Sequence, residues 1–74
     1  MQDMSNARQA IAAAQQAGAA RTAANELAEA HRLLKLAQAE LDQGDYSTAR
    51  QYAIRARTAA EKALRMSQAN PTPP

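Results

Sequence analysis

Cysteine is missing from this chain of 74 residues, and so are tryptophan, phenylalanine and valine. Without cysteine there are no disulfides, no thiolate chemistry and no cysteine-based zinc site, and the redox compartment stays open. The large aliphatic residues are only Ile11, Leu27, Leu33, Leu34, Leu36, Leu41, Ile54 and Leu64. A chain of this size with so few of them sits where burial barely offsets chain entropy. It has little material for a dry apolar pocket, so neither a bound cofactor nor an enzyme is expected. No apolar run approaches the roughly 18 residues of a membrane span. Met1-Gln2-Asp3-Met4 has neither a basic n-region nor an apolar h-region, so no signal peptide is expected in the segment as written. An excess of one charge is lacking too. Nine basic and seven acidic side chains leave +2, and the pI near 9.5 reflects only that difference. Nucleic-acid binding is not expected, because it needs clustered Lys/Arg with stacking or groove-reading groups.

What the chain has is alanine, at 21 of its 74 positions. Alanine is the best helix former, so local propensity carries much of the order. Met4, Ala7, Ile11 and Ala14 recur at three- and four-residue spacing, which predicts a first helix over about 4–17, capped by Ser5 or Asp3. Ala20, Ala23, Leu27, Ala30, Leu34, Ala37 and Leu41 form a heptad seam on a second helix, about 22–43. Tyr46, Ala49, Ala53, Ala56, Ala60 and Ala63 do the same on a third, about 46–68. The first stripe runs two residues out of phase with the second, which favours a bend near Gly18 to Thr22. Between the second and third helices stands Gly44, suited to the left-handed conformation that ends a helix. Asp45 follows it and is suited to cap the next helix. Gly44, Asp45 and Tyr46 are therefore read as a structural turn, with Tyr46 plugging the open end of the hairpin.

The fold expected is all-α: a long antiparallel helical hairpin with a short additional N-terminal helix, a three-helix bundle. It forms a single domain over 1–68, and residues 69–74 are a Pro-rich tail or linker. Acidic residues outnumber basic ones between Glu26 and Asp42. Arg50, Arg55, Arg57, Lys62 and Arg65 outnumber Glu61 on the last helix. An antiparallel hairpin then sets Glu40 near Arg50 and Glu26 near Arg65, pairs that tune register more than they stabilise.

Residues able to do chemistry are few. His31 is the only histidine, and Glu26, Glu29 and His31 do not share a helical face, so no metal site is expected. Ser5, Ser47 and Ser67 have no glycine-flanked elbow and no paired base. Asp42 and Asp45 bracket Gly44, but the turn is far too short for a calcium loop. No catalytic, cofactor-binding or metal residues are assigned. The candidate protein-interaction surface is Leu33, Leu36, Tyr52, Arg50 and Arg57. Leu33 and Leu36 flank the leucine seam on opposite sides, and a hairpin alone cannot cover both. The first helix covers one, and the other marks a partner surface.

Four pieces in order carry a family resemblance: Ser5-Asn6-Ala7-Arg8-Gln9-Ala10-Ile11, Ala17-Gly18-Ala19, Glu26-Leu27-Ala28-Glu29-Ala30 and Leu41-Asp42-Gln43-Gly44-Asp45-Tyr46-Ser47-Thr48-Ala49. Together they resemble the family called domain of unknown function 4398, across about 5–64. Members commonly have Pro just before the Glu-Leu pair, where this chain has Ala24-Asn25. The resemblance implies a helical module of the Gram-negative periplasm, often following a lipoprotein or secretory signal and sometimes preceding an OmpA-like peptidoglycan-binding domain. No catalytic residues carry over. A periplasmic location follows as an expectation, with outer-membrane anchoring through a lipid attached upstream of this segment. The expected role is a structural spacer or protein-interaction domain whose partner is another envelope protein or a second copy.

The alternative is a cytoplasmic helical adaptor binding a partner helix. Leu36, Ala37, Gly44, Tyr46, Ala49 and Ala56 sit at spacings similar to a tetratricopeptide repeat, but Glu40 stands where that repeat wants an aromatic. The pattern also does not recur about 34 residues earlier, as a solenoid requires. Glu61-Lys62-Ala63-Leu64-Arg65-Met66 loosely resembles the end of murein lipoproteins, without their C-terminal Lys.

Overall fold

The computed structural model describes residues 2–69, and they form four helices. These are α1 (Gln2–Gln16), α2 (Ala19–Thr22), α3 (Ala24–Asp42) and α4 (Tyr46–Ala69). The three long helices pack up-down-up in a rod of 48 × 19 × 13 Å, with the single-turn α2 as a connector. From Asn70 onward, the Pro-rich tail lies outside the described residues.

Both connections follow from backbone chemistry. Gly18 takes φ 87°, in the left-handed region, and ends α1. Its carbonyl then accepts from the amides of Arg21 and Thr22 at 3.0 and 3.2 Å and starts α2. A second bend comes at Ala23, with φ −145° and ψ 48°. The Ala23 amide donates back to Ala19, and its carbonyl accepts from Leu27 to open α3. The chain therefore turns without the proline common in the family pattern, and α1 and α3 are not one helix.

At the other end, Gly44 has φ 84°. The Asp45 amide donates to Glu40 at 2.9 Å and the Gly44 amide to Leu41 at 3.0 Å, the paired bonds of a Schellman stop. Asp45 then accepts from the Thr48 amide through Oδ1 at 3.2 Å and caps α4. One residue closes one helix and opens the next, which keeps the hairpin tight.

The core is stacked in layers that draw on α1, α3 and α4. Nearest the hairpin turn are Met4, Ala37 and Ala53. Next come Ala7, Leu33 and Ala56. Ile11 and Ala14 then meet Leu27, Ala30, Ala60 and Ala63, with Ala19 and Ala23 closing that end. The large side chain in each layer comes from α1 or α3, and the matching space is an alanine of α4. Ala49, Ala53, Ala56, Ala60 and Ala63 are all fully buried, so α4 presents a smooth rail to both neighbours. Large against small fills such layers at interior density. Ser67 continues the rail as the one buried polar residue among the described residues, satisfied by the Ala63 carbonyl at 3.0 Å and by Thr22 Oγ1 at 2.7 Å.

Several expectations are corrected. α1 begins at Gln2, so Asp3 and Ser5 lie inside it rather than capping it, and Asp3 serves as a first-turn carboxylate. Ala19, not Ala20, is the buried residue of the α2 turn. On α3 the fully covered leucines are Leu27 and Leu33, while Leu34 and Leu41 are only half-buried. A helix with two neighbours buries the stripe pointing between them, which is rotated from the stripe that would face one neighbour alone. Tyr46 does not plug the hairpin. It is 66 % exposed, because the Schellman turn places α4's first residue outside the layers.

Candidate functional site

Leu33 and Leu36 share a flank of α3, and it is the flank facing α4. The other flank faces α1, where Arg8 Nη2 donates to Gln38 Oε1 at 2.9 Å and Gln15 Nε2 lies 3.3 Å from His31 Nε2. Leu33 is buried with Ala7 and Ala56, while Leu36 is half-buried with Tyr52 and Ala59 against the same cluster. α1 does help to cover one leucine, Leu33, through Ala7, but Leu36 is half-buried against α4 rather than left free for a partner. The protein's own layers take up Leu33, which leaves the candidate surface. Tyr52 is half-buried and packs against the Met4 layer as well.

Arg50 and Arg57 are exposed on one side of α4. Arg50 Nε lies 3.4 Å from Asp3 Oδ2 of α1, and Arg57 Nε lies 3.2 Å from Glu61 Oε2 one turn on. The expected pairs Glu40–Arg50 and Glu26–Arg65 are not among the ion pairs of the described residues. Position 50 lies on the α1 side of α4, so Arg50 reaches Asp3 instead. Arg55 stands on the opposite side, 5.7 Å over the Tyr52 ring, close enough for a cation–π contact. Its charge also reaches Glu29 on α3. The carboxyl of Glu29 is held below its ordinary value, chiefly by the hydrogen bond from Arg32, and Arg32 is raised by the same bond. Arg32 is exposed and Glu29 partly so, which makes this a surface pair of adjacent helical turns.

The outer face of α4 is where exposed apolar surface and charge meet. Tyr46 and Ile54, at 66 % and 46 %, are the large hydrophobic residues left exposed. Around them stand Arg50, Arg55, Arg57, Lys62 and Arg65, with Glu61 the one carboxylate of the helix. Asp3, Tyr46, Ser47 and Arg50 line an open depression beside the turn. Sequence reasoning missed Ile54. Its signal was available, since Ile54 lies on the side of the helix away from the alanine rail and had no neighbour to cover it.

The chemistry these groups support is surface association. Asp3 and Glu61 are each engaged by an arginine. His31 is exposed beside Gln15. Among the described residues no three His, Cys, Asp or Glu side chains converge to hold a metal, and no helix is long and apolar enough to cross a membrane.

The family model described as domain of unknown function (DUF4398) matches residues 2–72, nearly the whole chain, and the chain belongs to that family. No curated protein and no solved structure matches it significantly.

Proposed function

Taking membership in this family as the premise, we propose that the chain is a non-enzymatic module of the bacterial cell envelope, acting as a spacer or protein-docking unit. The observation that carries this reading is the complete burial of Ala49, Ala53, Ala56, Ala60 and Ala63 against α1 and α3. An interior filled in this way has no room for a substrate, so the useful surface is external and helical. A rod of 48 Å suits a spacer, and the mixed face of α4 suits docking. The periplasmic location and a lipid anchor at the outer membrane belong to this proposal and rest on the family resemblance.

Fractionation of cells producing the native protein tests it. The protein should separate with the periplasm or outer membrane, and crosslinking there should join it to an envelope protein or to a second copy. Recovery wholly from the cytoplasm would overturn the envelope role in favour of a helical adaptor.

A further inference from the structure

α4 is the longest helix of the bundle, and its charge is lopsided: five cations against Glu61 alone. At about 100° per residue the five spread over roughly 160° of its circumference. Arg50 and Arg57 lie on one side of Ile54, and Arg65, Lys62 and Arg55 on the other. Along the axis they cover about 22 Å. All are exposed, and Arg55, Lys62 and Arg65 make no ion pair among the described residues. Of the acids bordering this face, Asp3 is engaged by Arg50, Glu61 by Arg57 and Glu29 by Arg32, while Glu26 and Glu40 on the α4-facing flank of α3 make no ion pair among the described residues.

We propose that the outer face of α4 lies along an anionic phospholipid surface, with Ile54 dipped among the headgroups and the five cations over lipid phosphates. Charge complementarity selects this occupant. A partner helix would need a continuous apolar seam to pack on. The ridge between the cations reads Ser47, Gln51, Ile54, Thr58 and Glu61, with one large apolar side chain among them and the Glu61 carboxylate held by Arg57. A plane of phosphates needs no seam. It needs positive charge spread over a flat length, with an apolar group at the centre and long cationic side chains to either side. Near an anionic leaflet each Lys or Arg strengthens attachment by about fivefold, and salt screens the effect.

This role goes beyond the docking reading above, and its failure leaves that reading standing. The test is sedimentation of the purified protein with vesicles of phosphatidylcholine alone or with about one-third phosphatidylglycerol, at low and at high salt. Binding should require phosphatidylglycerol, survive ~10 mM inorganic phosphate and disappear in ~0.5 M salt. The Arg55→Gln, Lys62→Gln, Arg65→Gln triple variant should weaken it on the order of 100-fold, three steps of about fivefold. Ile54→Asn should weaken it several-fold, with unchanged helicity by circular dichroism in both variants. Equal binding to neutral vesicles, no binding to either, or a triple variant that binds like the parent would overturn the proposal. So would competition by inorganic phosphate, which would mean a site for single anions. Tighter association with poly-glutamate than with vesicles would overturn it as well, and give the face to acidic proteins.

Discussion

Gly44 has φ 84° and no atom within 4 Å of where a Cβ would stand, so replacing it strains the backbone without causing a clash. Gly44→Val should therefore destabilise the fold by more than ~1 kcal/mol, because a β-branched residue resists the left-handed conformation. Gly44→Asn should cost less, since asparagine tolerates that region. Thermal unfolding distinguishes them: a valine variant melting within a degree of the parent would contradict the assigned turn. Asp45→Ala should cost ~1 kcal/mol through the lost bond to the Thr48 amide, read as a lower midpoint in urea with an unchanged slope. These two residues were legible in the sequence because their roles are local. A glycine that must leave the right-handed region and a carboxylate one residue later need no knowledge of the rest of the molecule. Tyr46, directly after them, was not legible. Whether a first-turn aromatic is covered depends on how far the neighbouring helices reach.

Each helix announced its buried stripe to a different degree. On α1 the stripe Met4, Ala7, Ile11 and Ala14 could be read directly, because Met4 and Ile11, the two large apolar residues of the helix, both lie on it. On α4 the alanines from Ala49 to Ala63 were equally plain. α3 was ambiguous, with Leu33, Leu34 and Leu36 within four residues. Periodicity locates a stripe but not which of two neighbours it faces, so the choice between Leu33 and Leu34 waited on where α1 packs. The ion pairs were illegible for another reason. Exposed pairs contribute 0–1 kcal/mol, so side-chain reach decides among several partners. The Glu29–Arg32 pair carries a pH prediction for α3. A carboxyl depressed in the folded state adds stability above its unfolded value, and that stability is lost as pH falls through the folded value. The melting temperature in low salt should thus decline below the ordinary Glu value of 4.5, and Glu29→Gln should flatten part of that decline. Parallel curves for the two proteins would mean that the pair does not couple to folding.

Across the whole molecule, the layers take up every large aliphatic side chain wholly or in part except Ile54, and the proposed role accordingly falls to the exterior. Titration with zinc, nucleotides or duplex DNA in ~0.15 M salt should accordingly give no saturable binding. A stoichiometric complex tighter than about 10 μM, roughly −7 kcal/mol, would contradict this. The filled interior itself is the central claim, and Ala56 tests it best. It sits fully buried in a layer with Ala7 and Leu33, one residue from each long helix. The deciding measurement is the thermal unfolding of Ala56→Leu. With no space for the added carbons, overpacking should cost ~1–3 kcal/mol. At about 4–8 °C per kcal/mol for a domain of this size, the melting temperature should fall by at least ~4 °C. A variant that melts at or above the parent temperature would reveal free volume beside α4, contradict the layered packing and reopen the interior as a binding site.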